Sequence, residues 1–267
     1  MKPYPIIALL LLSGLGCRKK DTSSPGFNLF TVEDDLSLGA KVATEIDSDP
    51  SKYPLLDSAQ YPEAYQYLYS LRDTILKTGQ LSYANKFPWR IRIIRDDSTL
   101  NAFCAPGGYI YIYTGLIKYL RTEAQLLGVL GHEMAHADRR HTTQLLTQAY
   151  GVQVLLQVIS GQAQSGLLTE IAANLLLLSF SRDHERDADA HSVIYLCPTS
   201  YRADGAADFF EYIQRQGGLR PPAFLSTHPD PGERIQNIRQ RKQEMGCTGT
   251  EDYESRYDQI VASLRCP

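Results

Sequence analysis

Residues 123–138 of the chain read EAQLLGVLGHEMAHAD. This stretch contains the motif HExxH, in which His132 and His136 stand four residues apart and Glu133 follows the first of them. Residues four apart lie on the same face of an α-helix, so the two imidazoles can reach one metal ion. The apolar residues ahead of the motif have helical periodicity, and we predict a helix over residues 122–140. Because HExxH also arises by chance, the interpretation needs a further metal ligand elsewhere in the chain.

The best candidate for that ligand is Glu185, in the run SRDHERDAD at residues 181–189. A catalytic zinc site takes three protein ligands and keeps one position open. Asp189 lies one turn further along, and we predict that it orients a ligand imidazole from behind. His184 is the rival ligand, but it points about 100° away from Glu185 on the same helix, so the two are not expected to bind one ion. The alternative interpretation is a solvated, charged end of a helix.

Periodicity along the rest of the chain indicates a helix-rich α+β fold. Alternation predicts two strands, at residues 89–94 and 109–113, and a Pro-Gly-Gly turn introduces the second. Two short strands among many helices argue against a doubly wound sheet. The further predicted helices cover residues 37–46, 61–77, 167–195, 203–215, 232–245 and 253–264.

Composition limits the possible partners. The chain has 267 residues, of which 43% are hydrophobic, so it is long enough to bury a core and is not a mostly disordered protein. Its 27 Lys and Arg against 30 Asp and Glu give a net charge of −3. This balance offers no excess of positive charge to neutralise phosphates, and we expect no nucleic-acid partner.

The first residues are typical of a targeting signal. Lys2 is followed by an apolar run at residues 6–12, which is shorter than the roughly 20 residues that span a bilayer, and small residues lead up to Cys17. We predict a lipoprotein-type signal peptide over residues 1–16, a lipid on Cys17, a flexible tether over residues 17–29 and one domain over residues 30–267. Gly14 stands where lipoprotein signals usually carry Leu, Val or Ile, so cleavage by an ordinary signal peptidase and retention as an anchor are alternatives.

The remaining cysteines fit an exported protein. With Cys17 set aside, an even number is left, and three connectivities are possible. We expect Cys197 to pair with Cys247 or Cys266, because all three follow the predicted ligands. Buried free thiols are the alternative. The fourth member of the set, Cys104, lies far from the others in sequence.

The two motifs resemble those of metallopeptidase family 48, the gluzincins that include the HtpX-like and CAAX-prenyl-protease-like enzymes. In that family HExxH is followed by SRxxExxAD, as it is here. Three further segments are similar, and together they extend the resemblance over most of the chain from about Phe30 to Met245. They are Leu38-Gly39, the stretch from Asn101 through Pro106-Gly107-Gly108 to Leu116, and Thr227-His228-Pro229 with Arg234 and Ile235.

The resemblance implies a zincin-like metallopeptidase domain that binds one Zn²⁺ per chain and acts on polypeptides. Integral members of the family carry transmembrane helices, and this chain has no apolar run of that length beyond the signal. It therefore looks like the soluble, envelope-facing branch, lipid-anchored and facing the periplasm of a bacterium. Such an enzyme is expected to clear misfolded proteins of the cell envelope.

The chemistry of the ligand set assigns roles to single residues. Two neutral imidazoles and a carboxylate leave zinc with a net positive charge, which lowers the pKa of its water to around 7. Glu133 is predicted to take the proton of that water and to pass it to the leaving amine. His228 or Arg234 is predicted to stabilise the oxyanion. Two other roles are open for His228: a fourth zinc ligand that keeps the enzyme latent, or a loop histidine fixed by its proline neighbour.

The strand at residues 109–113 is predicted to bind the substrate, mostly because of the family resemblance. An extended peptide added along a strand edge gains main-chain hydrogen bonds at any sequence. Asn101, Tyr109, Ile110 and Tyr111 are the residues expected along that peptide. Ordinary packing of a strand with two buried faces is the alternative.

The same predicted ligands also fit a second function. A zinc-binding periplasmic chaperone or assembly factor with latent or little proteolytic activity would carry the same ligands.

The apolar segment from Val152 to Phe180, interrupted by Ser, Gly and Gln, is predicted to form the arms and loop of a helical hairpin. We expect it to be buried against the active-site helix, with a mobile lid or a membrane contact as alternatives.

Overall fold

The helix that carries HExxH is the centre of the fold, and all sixteen of its residues from Glu123 to Asp138 are buried. Its start is fixed by Thr122, whose side chain accepts a hydrogen bond from the backbone N–H of Gln125. The structure, a computed structural model, describes residues 28–216, 223–229 and 231–264. The predicted signal peptide, the lipidation at Cys17 and the cysteine Cys266 lie outside the described residues.

Helices surround one small sheet in the part of the chain that the structure describes. The strands are β1 (Arg90–Ile94), β2 (Ala102–Ala105) and β3 (Tyr109–Tyr113). The helices are α1 (Val32–Asp47), α2 (Pro62–Leu76), α3 (Thr114–Tyr119), α4 (Glu123–Asp138), α5 (His141–Tyr150), α6 (Val152–Ser160), α7 (Leu167–Asn174), α8 (Arg182–Leu196), α9 (Gly205–Gln216), α10 (Ala223–Thr227), α11 (Pro231–Met245) and α12 (Glu254–Ser263). The predicted helix-rich α+β class is confirmed.

The sheet has the strand order β1-β3-β2, with β1 parallel and β2 antiparallel to β3. Successive side chains of a strand point to opposite faces, and here both faces are buried. Ile110 and Ile112 join the core cluster that contains the apolar residues of α4. Tyr111 and Tyr113 join a second cluster with α1, α6 and α7. The sheet thus separates two cores, and α4 lies on one side of it.

The active-site helix is held by α8 on one side and α9 on the other. Close packing requires glycine at both contacts. A Cβ on Gly205, at the start of α9, would lie 2.0 Å from the carbonyl oxygen of Ala124. A Cβ on Gly131 would lie 3.0 Å from the hydroxyl of Ser192 on α8. The contact at Gly131 is the one that brings the helix with HExxH close to the helix with Glu185.

Several predicted elements differ from those in the structure. The helix predicted over residues 167–195 is two helices, α7 and α8, because the side chain of Ser181 caps a new helix by accepting from the N–H of His184. The segment Val152–Phe180 does contain helices, α6 and α7, but it packs mainly on α1 rather than on the active-site helix. The strand β2 and the helices α3, α5 and α10 were not predicted. In the described residues no helix is both long and apolar enough to cross a bilayer.

One disulfide joins the ends of α8 and α11. Cys197 pairs with Cys247, which is one of the two pairings expected from the sequence. Cys104 is a buried free thiol. The bond closes a loop of 50 residues, which contains α9, α10 and α11 and returns the chain beside α8.

We predict that Cys197→Ser lowers the free energy of unfolding by about 4 kcal/mol, because closing a 50-residue loop removes entropy from the unfolded chain. Denaturant unfolding of the oxidised protein measures this change. Cys104→Ser is the matched control, since it removes a thiol outside the disulfide. An unfolding midpoint that is the same for both variants, with and without reductant, would contradict the prediction.

Candidate metal centre

Two imidazoles of α4 meet at one point. His132 and His136 are one turn apart, and their Nε2 atoms lie 3.0 Å from each other. Both rings are buried, with at most 1% of either residue exposed. The other ring nitrogen of His132, Nδ1, lies 3.0 Å from Oδ1 of Asp189. Since Nδ1 donates to that carboxylate, Nε2 keeps its lone pair and faces the neighbouring imidazole.

The carboxylate of Glu185, on α8, lies beside the same two imidazole nitrogens. It lies in the first turn of α8, which packs along α4, and 1% of it is exposed. Its Oε1 lies 3.4 Å from Nε2 of His136, and its Oε2 lies 3.5 Å from Nε2 of His132. Burial by itself would raise the pKa of Glu185, but the charges of His228 and Arg234 hold it well below its usual value. Glu185 is therefore a carboxylate, the form that binds metal.

His228 is the fourth member of the group. It follows α10 and is fully buried. Its Nδ1 lies 3.3 Å from Nε2 of His132 and 3.0 Å from Oε1 of Glu185. The four donor atoms of His132, His136, Glu185 and His228 all lie within 4.8 Å of one another.

This donor set fits zinc. Ligand atoms at about 2.0–2.1 Å from a tetrahedral ion are about 3.3 Å apart. The five contacts among these four side chains, two of them to Oε1 and one to Oε2 of Glu185, range from 3.0 to 3.5 Å. Facing lone pairs repel each other unless a cation lies between them. A set of imidazole nitrogens and one carboxylate is also the set that zinc prefers in hydrolytic sites. The residues present can therefore hold one zinc ion.

Glu133 lies beside the ligands without being one of them. It is fully buried, and neither of its carboxylate oxygens makes a hydrogen bond to any described residue. One titratable neighbour is His228, whose Nε2 lies 3.4 Å from Oε1 of Glu133. Burial raises the pKa of Glu133, and the charges of His228 and His132 offset this only in part. A buried carboxylate with free lone pairs is suited to accepting a proton.

The guanidinium of Arg234 is bound to two carboxylates. It makes two hydrogen bonds to Asp189, at 2.7 and 2.8 Å, and lies 2.6 Å from Oε2 of Glu185. It therefore holds one ligand directly and another through Asp189. The oxyanion role expected for Arg234 needs donors that face the substrate, and this geometry does not support that role.

A model of peptidase family M48 matches residues 66–242. The chain belongs to peptidase family M48. The resemblance read from the two motifs is confirmed, and the four donor residues described above form a group that can hold one zinc ion.

The relatives of this M48 peptidase include proteases of mitochondria and bacteria. It is 28% identical to the mitochondrial metalloendopeptidase OMA1 of Arabidopsis thaliana, over 64% of this chain and 38% of the relative. It is 29% identical to the β-barrel assembly-enhancing protease of Escherichia coli K12, over 69% of this chain and 40% of the relative. Metalloprotease YcaL of the same organism is 29% identical over 54% of this chain and 59% of the relative. The chain thus spans less than half the length of the first two.

Other predicted site residues have different surroundings in this M48 peptidase. The ring of His184 lies outside the ligand group, and its Nε2 is 3.0 Å from Oε1 of Gln144. Asn101 precedes β2, where its Oδ1 accepts a hydrogen bond from the N–H of Ala102. Tyr109, Ile110 and Tyr111 lie in β3, the central strand.

The predicted pairing of a substrate with that strand is wrong. Both sides of β3 are hydrogen-bonded, to β1 and to β2, so β3 has no edge for a peptide. The strands at the edges of the sheet are β1 and β2, and β2 is the one that packs on α4.

Four residues of the centre were missed by the sequence argument. Phe180 and Phe224 stack on the ring of His228, with centroids 5.3 and 4.4 Å away. His141 and Asp187 lie behind His136. His141 follows HExxH by five residues, and this spacing is the signal that could have identified it.

Replacement of Glu185 should release the metal from this peptidase. We expect Glu185→Ala to weaken zinc binding by more than the about 10–100-fold that changes behind a ligand cause, because it removes a donor atom. His184→Phe, the neighbouring control, should retain zinc because the ring of His184 lies outside the ligand group and bonds to Gln144. Elemental analysis of the purified proteins, with circular dichroism to confirm folding, measures both. Full zinc content in folded Glu185→Ala would exclude the ligand role.

Proposed function

We propose that this protein hydrolyses peptide bonds with Glu133 as general base and with His132, His136 and Glu185 as the residues that hold zinc. The observation that carries the proposal is the position of Glu133. It is a buried carboxylate, without a hydrogen bond to the described residues, at the edge of a group of four metal-binding side chains. When bound, zinc supplies a Lewis acid that acidifies a water molecule and polarises the carbonyl of the substrate.

The protein's own residues move the protons. Glu133 accepts a proton at a carboxylate oxygen from the attacking water, and the raised pKa helps it to hold that proton. The same oxygen then donates the proton to the amine nitrogen that leaves the cleaved bond. Asp189 and Arg234 keep His132 and Glu185 in place while this happens, since each is buried and hydrogen-bonded to the ligand it supports.

Glu133→Gln should abolish hydrolysis and leave the metal in place. General-base catalysis contributes about 10²–10⁴-fold, so casein cleavage is expected to fall by at least about 100-fold. The amide keeps the size of the side chain, and Glu133 is not a ligand, so zinc content should match the wild type. Casein cleavage and elemental analysis are the measurements. Wild-type cleavage by Glu133→Gln would overturn the proposal.

The alternative function is a zinc-binding chaperone or assembly factor. The closed state of the centre favours it, because the ligands and Glu133 are at most 1% exposed. A chaperone would suppress aggregation of an unfolded client equally well with Glu133→Gln. A protease would lose its effect on the client together with its cleavage of casein.

The same closed state supports a latent enzyme in which His228 is a fourth ligand. The segment that carries His228 is hydrogen-bonded to the chain on both sides. The N–H of Phe224 donates to the carbonyl of Leu100. The N–H of Phe180 donates to the carbonyl of Thr227. Leu100 immediately precedes Asn101 and β2. We therefore place the substrate along β2, and we propose that the segment must leave before a peptide can enter.

His228→Ala should increase hydrolysis if His228 keeps the enzyme latent. When the closed form dominates by ten to one, opening it raises the rate by about 10-fold. Initial rates of casein cleavage measure the change, and His184→Ala serves as the control outside the ligand group. A loss of about 100-fold would instead support the role of His228 in binding the oxyanion.

We propose that the substrates are misfolded proteins of the bacterial cell envelope, reached by a lipid-anchored enzyme that faces the periplasm. The bacterial relative named a β-barrel assembly-enhancing protease supports an envelope location. The disulfide between Cys197 and Cys247 supports an oxidising compartment. The lipid on Cys17 would keep the enzyme at the membrane, and mass spectrometry of the mature N-terminus tests this directly.

A further inference from the structure

A hydrogen-bonded row of polar side chains lies behind His136 and is not explained by hydrolysis itself. Nδ1 of His136 lies 3.2 Å from Nδ1 of His141, the first residue of α5. Nε2 of His141 lies 3.1 Å from Oδ2 of Asp187 on α8. His141 is 3% exposed, and the side chain of Asp187 is 12% exposed. The row therefore runs from the ligand through a buried imidazole to a carboxylate near the surface.

The directions of these hydrogen bonds follow from the ligand. His136 presents Nε2 to the other donors, so that nitrogen must keep its lone pair and the proton is on Nδ1. Two ring nitrogens bond only when one donates, so Nδ1 of His136 donates to Nδ1 of His141. The proton of a neutral His141 is then on Nε2, which donates to Asp187. One set of tautomers satisfies every contact in the row.

We propose that His141 and Asp187 are positioning residues that orient His136 for zinc, an inference that rests on the proposed ligand role of His136. A ligating histidine usually donates its other N–H to a carboxylate or carbonyl, which fixes the ring and makes the ligating nitrogen more basic. His132 receives this support directly, from Asp189 at 3.0 Å. His136 receives it from Asp187 through His141. Both carboxylates belong to α8, the helix that also brings Glu185.

The surroundings hold the row in one arrangement. The guanidinium of Arg139 donates to the Asp187 carboxylate at 2.7 Å, and His191 lies 3.3 Å from its other oxygen. The ring of His184 stacks on that of His141, with centroids 4.6 Å apart and an angle of 15° between the planes. Asp187 is thus also held by Arg139, and the ring of His141 is also held by His184. The orientation that they impose on His136 is therefore fixed as well.

The test is zinc affinity measured by competition with a chelator, using the full chain. His141→Leu removes both hydrogen bonds of the row and should weaken zinc binding by about 10–100-fold. His141→Gln keeps one acceptor and one donor and should restore most of the affinity. His184→Phe, the control, keeps a ring stacked on His141 and should change the affinity by less than about threefold.

Two further readouts separate positioning from a general effect on the fold. Co²⁺ in place of Zn²⁺ should give visible absorption bands that shift in His141→Leu and not in His184→Phe, because those bands depend on ligand geometry. Asp187→Asn should weaken zinc binding in the wild-type background and have no additional effect when His141 is already Leu, because Asp187 acts through His141. Additive losses would show that Asp187 acts by another route, and would overturn the proposal.

The remaining outcomes also decide the question. Wild-type zinc affinity and an unchanged Co²⁺ spectrum in folded His141→Leu would overturn the relay. If His141→Leu does not fold, Asp187→Asn decides the question: wild-type zinc affinity in folded Asp187→Asn would overturn the relay. His136→Ala distinguishes the two levels: retained zinc refutes the ligand role itself, whereas zinc loss there without an effect at His141 refutes only the relay.

Discussion

The structure depends on the balance of charge in its centre. Three carboxylates, those of Glu133, Glu185 and Asp189, are at most 2% exposed, and Arg234 is the buried guanidinium that faces them. When all three carboxylates are ionised and the imidazoles are neutral, as metal binding requires, two negative charges are left without compensation. A buried charge without a partner costs several kcal/mol, and a divalent cation supplies the two positive charges that are missing. The protein therefore tolerates such a polar interior because a metal belongs to it.

The fold brings these charges together by packing two helices at close range. The apolar residues of α4 face the sheet and α9, which leaves the HExxH side of the helix toward α8. Small residues such as Gly131 let α8 approach, and α11 then brings Arg234 against the carboxylates of α8. The residues that can hold a metal are thus assembled from helix faces rather than from loops, with His228 as the member that comes from a short segment.

Local periodicity explains what could be predicted from the sequence. The bounds of α4 and the convergence of His132, His136 and Glu185 follow from a spacing of four on a helix and from the chemistry of zinc ligands. The strand β2 could not be recognised, because its four residues AFCA alternate weakly and become a strand only by pairing with β3. The apolar run at residues 175–178 continues the helical pattern, but tertiary contacts end α7 and fix Phe180 beside Thr227. His141 was missed because its role depends on a ring nitrogen of another residue.

The disulfide restrains two of the helices that form the metal centre. It joins the ends of the two helices that carry Glu185 and Arg234, so oxidation adds a covalent restraint to a contact between a zinc ligand and its counter-ion. Before oxidation, packing and the ion pairs of Arg234 hold those helices together. A reduced chain therefore depends on these noncovalent contacts alone to keep its carboxylates beside the guanidinium, and oxidation makes that arrangement harder to lose.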